Sequence, residues 1–136
     1  MSHFLEFLDT QVMLFDGAMG TQIQGANLDV EKDYLGQENC SEILNLSRPD
    51  FVRGVHRKYL EAGADALETN TFGGSSLTLG EFSLSDKTVE INRRACELAH
   101  ETIAEFAHDG RPRGVVGAMG PGSRLPSLGH IDYDAL

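Results

Sequence analysis

The sequence predicts an α/β fold of parallel strands joined by helical crossovers, on three observations. Short apolar runs at 12–17 (VMLFDG), 65–69 (DALET) and 114–122 (GVVGAMGPG) each turn polar or glycine-rich at their C-terminal end. Amphipathic segments at about 49–62 and 86–108 separate them, long enough to return the chain so that successive strands run parallel. No internal repeat or low-complexity stretch interrupts the alternation.

The elements follow in order. FLEFLD at 4–9 suits a short helix or capping segment, and the continuous apolar run at 12–16 before Asp16-Gly17 suits a buried strand and its turn. Residues 18–46, with Gly20, Gly25 and Gly36, read as a long irregular connection of the kind found at functional sites. The first crossover helix has Ser47 as its expected cap, Pro49 in its first turn, Phe51, Val52, Val55 and Tyr59 on one face, and Gly63 as its stop. The second strand is expected at 65–70. The next helix is capped by Ser85 or Asp86, carries Val89, Asn92, Ala95, Cys96, Ala99, Ile103 and Phe106 at helical spacing, and ends at Gly110 before Pro112. A third strand follows at 114–118, and the strands are expected in the order 1-2-3 with both helices on one side.

Composition narrows the function classes. The chain has 136 residues, 40% apolar and 24% charged, the range of one globular domain. Its formal net charge of −10 disfavours nucleic acid and anionic membranes, and Arg93-Arg94 is its densest basic pair. No leader-like pattern or run of 18 apolar residues occurs, so the reading is soluble and cytoplasmic, with no membrane and no nucleic-acid partner. Cys40 and Cys96 have neither disulfide-framework nor zinc-site spacing, and both read as reduced structural thiols, Cys96 on the core side of its helix.

The strand ends hold the candidate chemistry. In parallel α/β folds the C-terminal ends of the strands share one rim, and ligands bind there. Asp16-Gly17-Ala18-Met19-Gly20 offers a carboxylate for an ammonium group and glycine backbone for close approach to a carboxylate, which together suit an amino acid. Plain strand-to-loop turn chemistry explains the same Asp-Gly equally well. Glu68, Thr69, Asn70 and Thr71 place four polar side chains where a core strand emerges, and Glu68 there calls for a ligand or a basic partner. His56 and His100, among charged neighbours on amphipathic helices, read as surface or internally satisfied, while His3, His108 and His130 show no paired spacing. Met13, Met19 and Met119 read as packing or pocket wall, and Arg124 as an exposed loop residue.

Four separated segments carry a family resemblance: LFDGAMGTQIQ, ENCSEILNLSRPDFVRGVHRKYLEAGADALETNTFGG, INRRACELA and GVVGAMGPGSRLPS. In this order they resemble the start of the homocysteine S-methyltransferase domain, most closely in the form carried by cobalamin-dependent methionine synthases, from about residue 12 onward. The resemblance implies a (β/α)₈ TIM barrel that moves a methyl group to the sulfur of homocysteine, giving methionine. Such a barrel needs about 250 residues, so the chain is expected to hold only its first three βα units, an incomplete N-terminal part spanning 1–136. Zinc, bound in the family by later cysteines, raises the thiolate fraction of the substrate sulfur. Its ligands are expected downstream, with none in this chain.

The same resemblance implies cobalamin as methyl carrier on another module, and corrinoid-carrying and folate-binding modules as partners. Relatives without a corrinoid use sulfonium or betaine donors. Carried onto matching positions, Asp16 and Gly17 become substrate contacts of the first strand, and Glu68 and Thr69 those of the second. Asn70 lines the substrate site with Thr71 and Phe72, and no residue is assigned a catalytic role. A non-catalytic truncated or assembly fragment is the alternative, and the isolated 136 residues are expected to be inactive.

Overall fold

The computed structural model describes residues 3–135. In chain order it contains α1 (His3–Leu8), α2 (Met19–Gln24), α3 (Leu44–Ser47), α4 (Pro49–Glu61), β1 (Ala66–Glu68), α5 (Ser76–Gly80), α6 (Thr88–Glu105) and β2 (Gly114–Val116). Short 3₁₀ turns at Ser41–Ile43, Ser85–Lys87 and Ala107–Asp109 lead into or out of the helices.

β1 and β2 pair in parallel, with Ala66 opposite Gly114 and Glu68 opposite Val116. On the other side of β1 the first apolar run joins by a parallel bridge between Phe15 and Ala66. Asp16 N–H donates to Ala66 O at 2.9 Å, and Ala66 N–H donates to Leu14 O at 3.1 Å. The order is therefore first run, β1, β2, all parallel, in agreement with the alternation in the sequence.

The extents are shorter than expected, most of all in the first run, where a strand over 12–16 shrinks to one bridge. Its exposure gives the reason: Val12 is 83% and Leu14 56% exposed, whereas Ala66 and Leu67 in β1 are fully buried between neighbours. With those side chains in solvent, the run gains little burial from further pairing, whereas β1 is covered on both sides.

Asp65 ties the strand starts together. Its Oδ2 accepts from Leu14 N–H at 3.1 Å, its Oδ1 accepts from Arg111 Nη2 at 2.6 Å, and its backbone carbonyl accepts from Gly114 N–H at 2.9 Å. One buried carboxylate thus fixes the first run and the approach to β2 to the start of β1.

α4 and α6 cover one face of the strands, where Leu67 packs with Leu60 and Ala99. Val52, Leu44, Leu98 and Ile23 form a second cluster, and Cys40, Ile43, Leu79, Leu84 and Ile91 a third. Arg57 reaches from α4 to Glu105 at the end of α6 at 2.7 Å, and Arg53 donates to the same carboxylate.

Three helix details depart from the sequence reading, the first being that neither Ser85 nor Asp86 caps α6, whose cap position is held by Lys87 without a side-chain cap bond. Ser47 does not cap α4; it ends α3 and donates to the carbonyls of Asp33 and Ile43, so Arg48 occupies the cap position without a side-chain cap bond. The buried face of α6 is Ile91, Ala95, Leu98, Ala99 and Thr102, which leaves Val89 66% exposed and Cys96 exposed. The expected stripe included Val89 and Cys96 because small and apolar residues recur on more than one face of this helix. The stops behave as read: Gly63 and Gly110 adopt positive φ of 106° and 70°, where a Cβ is strained. Among the described residues no helix is long and apolar enough to cross a membrane.

Candidate functional site

The strand ends on this rim frame a cavity of about 440 Å³, and Asp16, Gly17, Glu68, Thr69 and Asn70 all line it. A third acidic residue joins them. Glu42, from the 3₁₀ turn ahead of α3, brings the lining carboxylates to Asp16, Glu42 and Glu68, and among the described residues no lysine, arginine or histidine lines the cavity. A neighbouring cavity of about 450 Å³, on the β2 and α6 side of Phe72, has no acidic lining residue among those described. A cationic group therefore has electrostatic reason to enter the first cavity and little to enter the second.

Each acid is held differently. The Asp16 side chain is 3% exposed, and its Oδ1 accepts from Glu68 N–H at 3.0 Å. Burial pushes its carboxyl up from the usual range to about 6, against that hydrogen bond, which pulls the other way. Glu42 accepts from Gly73 N–H at 2.6 Å and from the Ser41 hydroxyl at 3.2 Å. A Cβ on Gly73 would lie 2.9 Å from Glu42 Oε1, so this position favours glycine for the sake of the carboxylate beside it. Glu68 is exposed at the cavity mouth.

The polar run after β1 divides by what its side chains already touch. Thr69 and Thr71 share a hydroxyl contact of 2.6 Å; Thr69 Oγ1 accepts from Ala118 N–H, and Thr71 Oγ1 donates to Ala118 O at 2.7 Å. Asn70 Nδ2 donates to Ser41 O at 2.8 Å and to Asn45 Oδ1 at 3.2 Å, while Asn45 Nδ2 donates to Asn70 O at 2.8 Å. Both amide protons of Asn70 are thus engaged within the protein. Thr69 and Asn70 contribute walls held in place, whereas Asp16 and Glu68 contribute charge.

Gly17 has a packing reason to be glycine. A Cβ there would meet the Tyr59 ring at 2.9 Å, and Tyr59 donates its hydroxyl proton to Ala18 O at 3.2 Å. α4 therefore supports the first strand's tail directly. One turn earlier on the same face lies His56, fully buried, with Nδ1 4.0 Å from Asp16 Oδ2. It is neither on the surface nor satisfied: neither ring nitrogen has a hydrogen-bond partner among the described residues. Burial lowers its pKa to about 4, so at neutral pH the ring is uncharged and forms no ion pair with Asp16.

Glu42, His56 and Tyr59 were absent from the sequence-derived site. His56 carried one usable signal, its spacing of four from Val52 on the apolar stripe. Glu42 carried none, because its main partner is a backbone N–H 31 residues away. Among the described residues no three His, Cys, Asp or Glu side chains are placed to hold a metal ion, and Cys40 is buried while Cys96 is exposed. This donor set does not fit zinc. The side chain of His3 lies outside those described.

Parallel strands with helical crossovers and an acidic, glycine-lined cavity at their C-terminal ends define an α/β chain with an enzyme-type ligand rim. The family model for homocysteine S-methyltransferase matches residues 13–136, and the chain belongs to that family. It is 46% identical over 129 residues to the methionine synthase of Mycobacterium tuberculosis and, over the same length, 46% identical to that of Mycobacterium leprae. Those alignments cover 95% of this chain and 11% of each relative, so the chain spans about a ninth of their length. Two solved structures of the homocysteine methyltransferase MmuM from Escherichia coli share the fold. The metallated form has a TM-score of 0.69 at 22% identity, covering 85% of this chain and 40% of that one. The oxidized form has a TM-score of 0.72 at 21% identity, covering 88% and 41%.

Proposed function

We propose that this chain is the amino-acid-holding part of an enzyme that transfers a methyl group to the sulfur of homocysteine, forming methionine. The observation that carries the reading is the cavity lined by Asp16, Glu42 and Glu68 with no basic lining residue among those described. Membership of the family and the named relatives support the substrate class. The ammonium group is assigned to Asp16 with Glu68 at the mouth, and the substrate carboxylate to the backbone at Gly17. Thr69 and Asn70 keep the opposite wall in place. Fixing the amino-acid end limits where the sulfur can lie relative to a methyl donor, which is catalysis by positioning.

The parallel order and the likeness to MmuM support the first three units of a (β/α)₈ barrel as the architecture. Zinc and cobalamin belong to the reading of the whole protein, with corrinoid-carrying and folate-binding modules as its partners and the cytoplasm as its place. This chain's own residues take no part in activating the sulfur.

The test is a methylation assay and calorimetric homocysteine binding on the whole protein that carries these residues, beside Asp16→Asn. The substitution is expected to weaken homocysteine about 10- to 100-fold, the equivalent of a charge-assisted hydrogen bond of roughly 1.5–3 kcal/mol. Zinc content should stay at the wild-type level. Unchanged affinity in a folded Asp16→Asn protein removes Asp16 from the site.

A further inference from the structure

We infer that His56 is a positioning residue for Asp16: its imidazole, sealed beneath the first strand's tail, supplies the N–H that fixes the second carboxylate oxygen for receipt of a substrate ammonium group. The inference rests on the homocysteine reading and adds to it a residue outside the cavity wall.

The site itself poses the problem that His56 answers. Among the described residues the one hydrogen bond from another residue to the Asp16 carboxylate is the 3.0 Å bond from Glu68 N–H to Oδ1. A carboxylate anchored at a single atom can still swing about that contact, and its free oxygen then faces the ligand in no fixed direction. His56 Nδ1 lies 4.0 Å from that free oxygen, Oδ2. The remaining gap is about 1 Å longer than a hydrogen bond, and the inference requires the carboxylate to turn about its Glu68 contact by enough to close it.

Volume alone does not account for a histidine here. The ring is fully buried on the face of α4 that also buries Val52, Val55 and Leu60, a place where leucine or phenylalanine would pack with no polar atoms to satisfy. Instead, two buried ring nitrogens have no partner among the described residues, an exception to the near-universal pairing of buried polar groups. At Nδ1, this distance from the Asp16 carboxylate, the exception is accounted for by a bond made when the site is loaded.

The chemistry of the ring suits the task. Kept neutral by burial, imidazole donates one hydrogen bond without bringing a positive charge to Asp16. A lysine or arginine in its place would neutralise the carboxylate and compete with the substrate's ammonium. Tyr59, one turn further along α4, acts in parallel on the neighbouring backbone through its bond to Ala18 O. Together the two residues make α4 the support from which the Asp16–Ala18 tail is aimed.

The test uses the whole protein and two probes: homocysteine, and 4-sulfanylbutanoate, which has the same chain and thiol without the amino group. His56→Leu is expected to weaken homocysteine about tenfold and leave 4-sulfanylbutanoate unchanged. His56→Asn, whose side-chain N–H reaches the place of Nδ1–H, is expected to retain most of the affinity. Melting temperatures measured alongside identify folded variants. If the leucine variant does not fold, His56→Gln, which presents its N–H at the Nε2 position, replaces it with the same loss expected. A folded His56→Leu protein that binds homocysteine like the wild type overturns the inference, as does an equal loss for both probes or a failure of asparagine to rescue. Wild-type protein that binds neither probe overturns the homocysteine reading itself.

Discussion

The two walls of the acidic cavity are built in opposite ways. The wall after β1 is an interlock, in which Asn45, Asn70, Thr69 and Thr71 satisfy one another and the backbone of neighbouring segments. The wall after the first strand is a short tail held by one sheet bridge, the bond from Glu68 N–H to the Asp16 carboxylate and one side-chain hydrogen bond from α4, that of Tyr59. The first has most of its side-chain hydrogen bonds spent on structure, and the second keeps a buried carboxylate with an oxygen to spare. Polarity at a strand end thus serves two purposes here: it locks one wall, and in the other it leaves a buried carboxylate beside the cavity.

The largest expected effect comes from breaking the interlock. Asn70→Ala leaves Ser41 O and Asn45 Oδ1 without their donor inside the protein, a loss of about 3 kcal/mol on the usual cost of unpaired buried polar groups. Hydrogen exchange at the amides of 69–73 should rise by about two orders of magnitude, while Glu68→Ala, at the exposed mouth, should change it little. Equal exchange in the two variants would mean that the interlock does not hold this wall.

A smaller effect is expected at the junction of the 3₁₀ turn and the loop after β1. Glu42→Ala removes the acceptor of Gly73 N–H, at a cost of roughly 2 kcal/mol. Protection should drop at Gly73 itself and stay close to wild type at Asp16, whose amide bonds to Ala66 O. A uniform drop at both places would show that the walls open as one unit, and the contrast between them would fail.

How much of this was legible in the sequence follows from how far each interaction reaches along the chain. Strand order was legible because apolar runs and helical crossovers alternate, and such crossovers admit parallel pairing almost exclusively. The placement of Asp16, Gly17, Glu68, Thr69 and Asn70 around one cavity was legible from the shared position at strand ends. Side-chain partners were not. Ser47 has the chemistry of a cap, yet Asp33 O competes for its hydroxyl from 14 residues away. Asn70 is held in the cavity wall by hydrogen bonds with Asn45, 25 residues earlier, which nothing in the local sequence marks. His56 stands among arginines in sequence, and only the helix turn carries it away from Arg53 and Arg57 into the core. Periodicity reports which face of a helix is apolar, and it is silent on what that face meets.

The smallest expected effect is one that the intact protein nearly hides, the change in stability between pH 5 and pH 6. Asp16 has its pKa raised from 3.8 to about 6, so over this interval the folded protein holds a proton that the unfolded chain has released. That contribution makes stability fall as pH rises. His56 has its pKa lowered from 6.5 to about 4, so the unfolded chain holds a proton that the folded protein lacks, and this contribution makes stability rise with pH. The two slopes have opposite signs and overlap, so this pair should leave the wild type close to flat. Each single substitution uncovers the other residue's slope. Asp16→Asn should gain stability from pH 5 to pH 6 and His56→Leu should lose it, each by up to about 1.4 kcal/mol per pH unit for one proton. Urea unfolding at the two pH values measures both. Slopes of the same sign in the two variants would show that these buried groups do not titrate as opposed partners, and the support of Asp16 from α4 would then have to be sought in Tyr59 alone.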